Sequence, residues 1–129
     1  MPPSAFQYAI VRVVPQVERG ECLNAGVVLF CRSLGFLAAR VELDEARVRA
    51  LAPGVDLDAV RSHLDAFARI AGGVPESGPI AALPASERFG WLVAPSSTTI
   101  QCSPVHTGLT DDPARELQRL VERLVQAHD

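Results

Sequence analysis

The chain contains no lysine; all 12 of its basic residues are arginine. That absence removes three self-contained chemistries. Schiff-base catalysis needs an amine, a P-loop needs its lysine on the phosphates, and a protein kinase needs a strand lysine. Arginine in place of lysine, with abundant alanine, glycine and proline, is also what a GC-rich coding sequence produces. The exclusions hold for either origin.

Long hydrophobic runs are missing as well. The apolar run Ala25–Cys31 falls far short of the roughly 20 residues that cross a bilayer. The first ten residues, MPPSAFQYAI, carry neither a basic leader nor a long apolar stretch, so no signal peptide is expected. Basic charge is not in excess: 12 basic residues face 15 acidic ones, for a net charge of −3. A nucleic-acid binder normally shows a basic stripe, so no nucleic-acid partner is expected. Three cysteines, Cys22, Cys31 and Cys102, make an odd number, unlike a secreted disulfide framework. These absences describe a cytoplasmic protein with no membrane segment. At 129 residues, 48 % of them hydrophobic, the chain fits a single domain over 1–129. A domain of that size buries roughly two thirds of its unfolded surface and needs no metal or disulfide staple.

What is present is clearest between Tyr8 and Phe30. Phe6–Val14 alternates as a strand, with Phe6, Tyr8, Ile10 and Arg12 on one face and Gln7, Ala9, Val11 and Val13 on the other. Pro15 stops it, because proline cannot donate to a ladder. A second strand, Cys22–Arg32, is apolar on both faces near its middle and is expected to be central. Ser33-Leu34-Gly35 turns the chain into a third strand, Phe36–Glu42. Short connections make these three strands an antiparallel meander.

The period then changes from two to 3.6. Asp44 caps a short helix from Glu45 to about Ala52, with Leu43 and Val48 as a hydrophobic staple. A longer helix, about Leu57 to Ala71, carries Leu57, Val60, Leu64, Phe67 and Ala71 on one stripe. The glycine- and proline-rich segment 72–84 fits no regular element and reads as a surface loop. Trp91–Ala94 and Thr98–Ser103 read as two more strands around Pro95-Ser96-Ser97. Asp112 as N-cap and Pro113 at the first helical position open a last helix, whose stripe of Leu117, Leu120, Val121, Leu124 and Val125 must dock on the sheet or on a partner. The expected fold is therefore α+β: an antiparallel sheet of about five strands carrying two main helices.

Polar chemistry concentrates at one corner. Glu18, Arg19 and Glu21 form the turn between the first two strands, and Asn24 sits just inside an otherwise apolar strand. A buried amide needs hydrogen-bond partners, so Asn24 marks either a binding site, with Arg12 reaching in, or a structural bond near a bulge at Gly26. Under the structural reading Glu18–Glu21 is simply a solvated turn. Cys102 and His106 have a spacing compatible with a thiolate–imidazole pair. Two ligands do not make a metal site, however, and a packed cysteine beside a loop histidine is the simpler assignment. Pro104–Thr110 precedes the last helix as a loop, where Thr107, Gly108 and Thr110 offer donors for an anion at the helix N-terminus. Asp111 and Asp112 already occupy the positive end of the dipole, however, and capping is the simpler job. His63 lies at the edge of an apolar stripe and His128 at a fraying terminus. The sole tryptophan, Trp91, is expected in the core.

Tyr8-Ala9-Ile10-Val11-Arg12, Glu18-Arg19-Gly20-Glu21 and Asn24-Ala25-Gly26-Val27-Val28-Leu29 together resemble a bacterial family, domain of unknown function 3037. Pro104-Val105-His106-Thr107-Gly108-Leu109 and the closing helix extend the resemblance over most of the chain. It brings no catalytic residues, cofactor or metal. It does imply a protein partner, because members of this family are often encoded beside a kinase-like protein similar to HipA toxins. The expectation is thus an interaction or accessory module rather than an enzyme, with Arg12, Glu18, Arg19, Glu21, Asn24 and His106 as candidate binding residues. The alternative is an enzyme for a small molecule or nucleotide, which requires Arg12, Glu21, Asn24 and His106 to converge in one pocket. A homodimer through the last helix's stripe is a third possibility.

Overall fold

The structure, a computed structural model, describes residues 2–126; His128 lies outside them. Strands β1 (Ser4–Val13), β2 (Leu23–Cys31) and β3 (Phe36–Val41) form the expected antiparallel meander. Helices α1 (Glu45–Leu51) and α2 (Leu57–Ala71) follow, opened by the side chains of Asp44 and Asp56, which accept hydrogen bonds from the backbone N–H groups of Arg47 and Ala59. Helix α3 (Ala85–Val93), strands β4 (Ile100–Cys102) and β5 (His106–Thr110), and helix α4 (Pro113–Leu124) complete the chain. The sheet order is β3-β2-β1-β4, with β5 also on β1.

Strand β2 is central, as its sequence suggests, paired with β3 on one edge and with β1 on the other, and β1 is interior as well. One edge of β1 pairs with β2 over Gln7–Val13, and the other pairs with β5 over Ser4–Tyr8 and with β4 over Val11–Val13. Between β5 and β4 the outer rim breaks, and Ser103 closes the gap. Its N–H donates to the Ile10 carbonyl at 2.8 Å, while its hydroxyl oxygen accepts from the Ile10 N–H at 2.8 Å. Ser103 is buried, so this replacement of ladder bonds satisfies groups that water does not reach.

Both sheet faces are covered. On one, Ala9, Val11, Val13, Val28 and Phe30 pack against Val60 and Leu64 of α2 and Phe89 of α3. On the other, Phe6, Val27, Leu29 and Cys31 pack against Leu117, Leu120 and Val121 of α4. The α4 stripe is consumed by its own sheet, which removes it as a surface for a second copy.

A bulge sets which residue of β2 faces which layer. Val11 pairs with Gly26 but Arg12 pairs with Asn24, leaving Ala25 as the extra residue. Ala25 therefore joins the α2 layer with Val28 and Phe30 instead of following Val27 and Leu29, as simple alternation requires. Gly26 is obligatory there, because a Cβ would lie 2.6 Å from the Arg40 carbonyl oxygen and 2.9 Å from a Val41 methyl.

Three expectations from sequence are corrected. Residues Trp91–Ala94 are not a strand; most of them end α3, whose stripe of Ala85, Phe89, Leu92 and Val93 repeats at helical spacing. Trp91 falls off that stripe and is 63 % exposed rather than core. The segment before α4 is not a loop, since His106–Thr110 forms β5. Segment 72–84 is irregular except for a single 3-10 turn at Ile80–Ala82. Arg88 fixes this region by donating from Nη1 to the Leu83 carbonyl at 2.8 Å and from Nη2 to the Ala71 carbonyl at 3.3 Å.

The bulge is open to a direct test. Gly26→Ala should lower unfolding free energy by about 1–3 kcal/mol in urea titration, the usual cost of overpacking. Gly90→Ala, in α3 with nothing within 4 Å of the added methyl, should raise it by about 0.5–1 kcal/mol, the usual helical preference for alanine.

Candidate functional site

The corner between β1 and β2 is built by a single 3-10 turn, Val17–Arg19, closed by Gly20 at φ +72°, a left-handed conformation that favours glycine. Glu18, Arg19 and Glu21 all stand exposed on it. Arg19 Nε donates to Glu21 Oε1 at 2.5 Å, and the Glu18 charge adds a weaker attraction to the same guanidinium. Solvent screens an ion pair this exposed, so it adds little to stability.

Asn24 behaves differently. It lies opposite Arg12 on the α4 face, a placement that the bulge at Ala25 creates. Its Nδ2 donates to the Leu124 carbonyl at 3.0 Å, and its Oδ1 accepts from Arg12 Nε over a long 3.4 Å. The Leu124 carbonyl belongs to the last turn of α4 and has no partner within the helix. Asn24 thus ties the C-terminal end of α4 to the sheet, across 100 residues of sequence.

The six candidate residues consequently divide into three groups. Arg12 and Asn24 meet; Arg19 and Glu21 meet; His106 stands on β5 opposite Tyr8, their rings 5.2 Å apart. Tyr8 is four residues from Arg12 along β1, about 13 Å at ~3.3 Å per residue. His106 and Asn24 also lie on opposite sides of β1, which adds two strand spacings of about 4.8 Å each. Arg12, Glu21, Asn24 and His106 do not converge, as the enzyme alternative requires. The recesses near the corner are separate too: Arg19 lines one of about 420 Å³ with Leu51 and Pro53, whereas Arg12 lines another of about 280 Å³ with Gly20 and Cys102.

Cys102 and His106 are likewise apart. Cys102 pairs with Val11 and sends its thiol toward the Leu92 carbonyl at 3.4 Å, while His106 pairs with Tyr8 at the other end of the rim. Burial pushes the Cys102 thiol up to about 12, and the weaker opposing pull of Arg12 does not reverse it. A nucleophilic cysteine needs the reverse shift. Cys22 is exposed and Cys31 buried, and no group of three or more metal-ligating side chains forms among the described residues.

Two features of the surface carry no signature that periodicity alone reveals. One is an apolar groove of about 740 Å³ between α2, α3 and β4, lined by Phe67, Ile70, Trp91, Leu92, Pro95 and Ile100. The other is a polar trench of about 400 Å³ between β5 and α4, bordered by Tyr8, Glu116, Arg119 and Arg123. The groove follows from Trp91 leaving the α3 stripe, which was legible once Ala85–Val93 is read as a helix. The trench depends on where α4 docks and has no local sequence mark.

A family model for proteins of unknown function, DUF3037, matches residues 8–125, nearly the whole chain. The chain belongs to the DUF3037 family. No curated protein and no solved structure matches it. The DUF3037 match runs from Tyr8 through the corner, the bulge and β5 to Val125, and so takes in the Asn24 anchor and both surface features.

Two measurements follow from this geometry. Asn24→Ala should cost about 1 kcal/mol of stability in urea titration, because the Leu124 carbonyl loses its donor. For the thiols, a titration with a chromogenic disulfide at pH 8 should modify Cys22 promptly and leave Cys102 unmodified until the protein unfolds. The folded state holds the Cys102 proton more tightly than the unfolded state does. Its contribution to stability is therefore complete below the ordinary value of 9.0 and is lost as pH rises toward about 12, a slope that Cys102→Ala should remove.

Proposed function

We propose that this DUF3037 protein is an interaction module, an accessory to a larger protein, and that the apolar groove beside Trp91 is its docking surface. The observation that carries this reading is the 63 % exposure of the only tryptophan in the chain. A large aromatic side chain left in water costs solvation free energy, and tryptophan is among the residues most enriched at energetic centres of protein interfaces. Phe67, Ile70, Leu92, Pro95 and Ile100 extend the apolar surface around it. Isolated apolar side chains on a surface are ordinary, but a concave cluster of them marks an interaction site. The proposed partner is a cytoplasmic kinase-like protein similar to HipA toxins, on the analogy of the family's common genetic neighbours. A chain without lysine suits a kinase's accessory better than a kinase.

The tryptophan is its own reporter. Titration with the HipA-like kinase of the same genome should shift Trp91 emission to shorter wavelength as the indole leaves water. Trp91→Ala should weaken the complex by about 2 kcal/mol or more, roughly 30-fold in Kd. A complex that leaves the emission unchanged, or that Trp91→Ala binds equally well, overturns the assignment of this surface.

A further inference from the structure

Helix α4 covers only part of its sheet face. Its apolar residues lie over Val27, Leu29, Cys31 and Phe6, while Tyr8 and the residues of β5 border an open trench. The helix runs along the strands rather than across them. Asp112, its N-cap, comes two residues after Thr110, which pairs with Ser4; at the other end the Leu124 carbonyl meets Asn24, which pairs with Arg12.

The two flanks of α4 differ in charge. Gln118, Glu122 and Gln126 lie one turn apart on one flank, where Gln126 reaches Glu42 beyond β3. Arg115, Arg119 and Arg123 lie one turn apart on the other, and Arg119 and Arg123 line the trench. Glu116 is the one carboxylate among the trench's lining residues, and it is held by Arg119 Nε at 3.0 Å and Nη2 at 2.5 Å. The side chains of Arg115 and Arg123 have no ion-pair or hydrogen-bond partner among the described residues. In a chain of net charge −3, this flank is a local excess of positive charge.

The strand beside the trench is also open. β5 pairs with β1 along one edge, and no other strand among the described residues pairs with its second edge. An extended chain laid against that edge would gain ladder hydrogen bonds and send alternate side chains toward α4. Such side chains repeat every ~6.8 Å, close to the ~6 Å rise that separates residues four apart on a helix.

We infer that the trench takes an extended acidic segment of a partner protein, added to the sheet beside β5 with carboxylates at alternate positions on Arg119, Arg123 and, one turn back, Arg115. The paired rings of Tyr8 and His106 supply flat apolar surface alongside. A free backbone edge running beside the arginines favours a peptide over a nucleic acid, whose phosphates gain nothing from β5. The trench lies on the opposite sheet face from Trp91, so this inference stands or falls independently of the docking surface proposed above.

The test uses the full chain and a fluorescein-labelled heptapeptide with glutamate at alternate positions, read by anisotropy. A heptapeptide of the same composition with its glutamates adjacent serves as the comparison. The alternating peptide should bind more tightly, and the double variant Arg119→Gln/Arg123→Gln should lose at least about tenfold in affinity, the scale of one charge-assisted contact. Hydrogen exchange at the amides of residues 106–110 should slow on binding, and Trp91→Ala should bind the peptide like the wild type. If circular dichroism shows the double variant unfolded, Arg123→Gln alone gives the same reading, since its side chain supports no other described residue. Binding indifferent to the arginines or to glutamate spacing, or no binding at millimolar peptide, overturns the inference. So does a single-stranded oligonucleotide that binds more tightly than the peptide through the same two arginines.

Discussion

A strand whose two edges are both paired and whose two faces are both buried must present its side chains in strict alternation, and β1 imposes that alternation on the whole sheet. Ala9, Val11 and Val13 are fully buried toward α2 and α3, and Phe6 is buried toward α4. A shift of one residue in β1 would exchange these sets and place Arg12 and Tyr8 against α2. The register is therefore fixed by burial on two sides at once, which short connections alone could not achieve.

The register shift in the β1–β2 pairing lies in β2, and the candidate polar corner follows from it. Without the bulge at Ala25, Asn24 would face the α2 layer with Val28 and Phe30. With it, the Asn24 amide meets the last carbonyl of α4. The most suggestive polar residue in the sequence thus serves as a clamp between the first hairpin and the last helix. Glu18, Arg19 and Glu21 remain outside this clamp, in solvent. The exposed Trp91 and the arginine flank of α4 lie elsewhere, on opposite faces of the sheet.

Much of this architecture was legible because it is written in local periodicity. The hairpin strands, α2 and the Asp112-Pro113 start of α4 each show a period and a cap, and they fold where those signals fall. Failures came where the signal was divided or nonlocal. Trp91-Leu92-Val93 has strand-like composition, but its helical partners Ala85 and Phe89 lie upstream, against the end of a loop rich in proline and glycine. β5 carries a glycine at Gly108 and alternates poorly; it is a strand because β1 supplies a ladder and the Phe6 ring packs against Gly108. Of the candidate site, the importance of Asn24 was legible but its partner was not, since no local pattern points from residue 24 to residue 124. Ser103 was missed for the same reason: its role exists only beside Ile10.

The interruption of the outer rim at Ser103 has a further effect on how the protein survives at high concentration. An unbroken border strand is a template on which identical chains can stack without limit, and proteins suppress that hazard by shortening or kinking their borders. Here the border is cut into pieces of three and five residues, with a proline following the cut. Both pieces are shorter than the roughly six or seven residues typical of a fibril-forming segment.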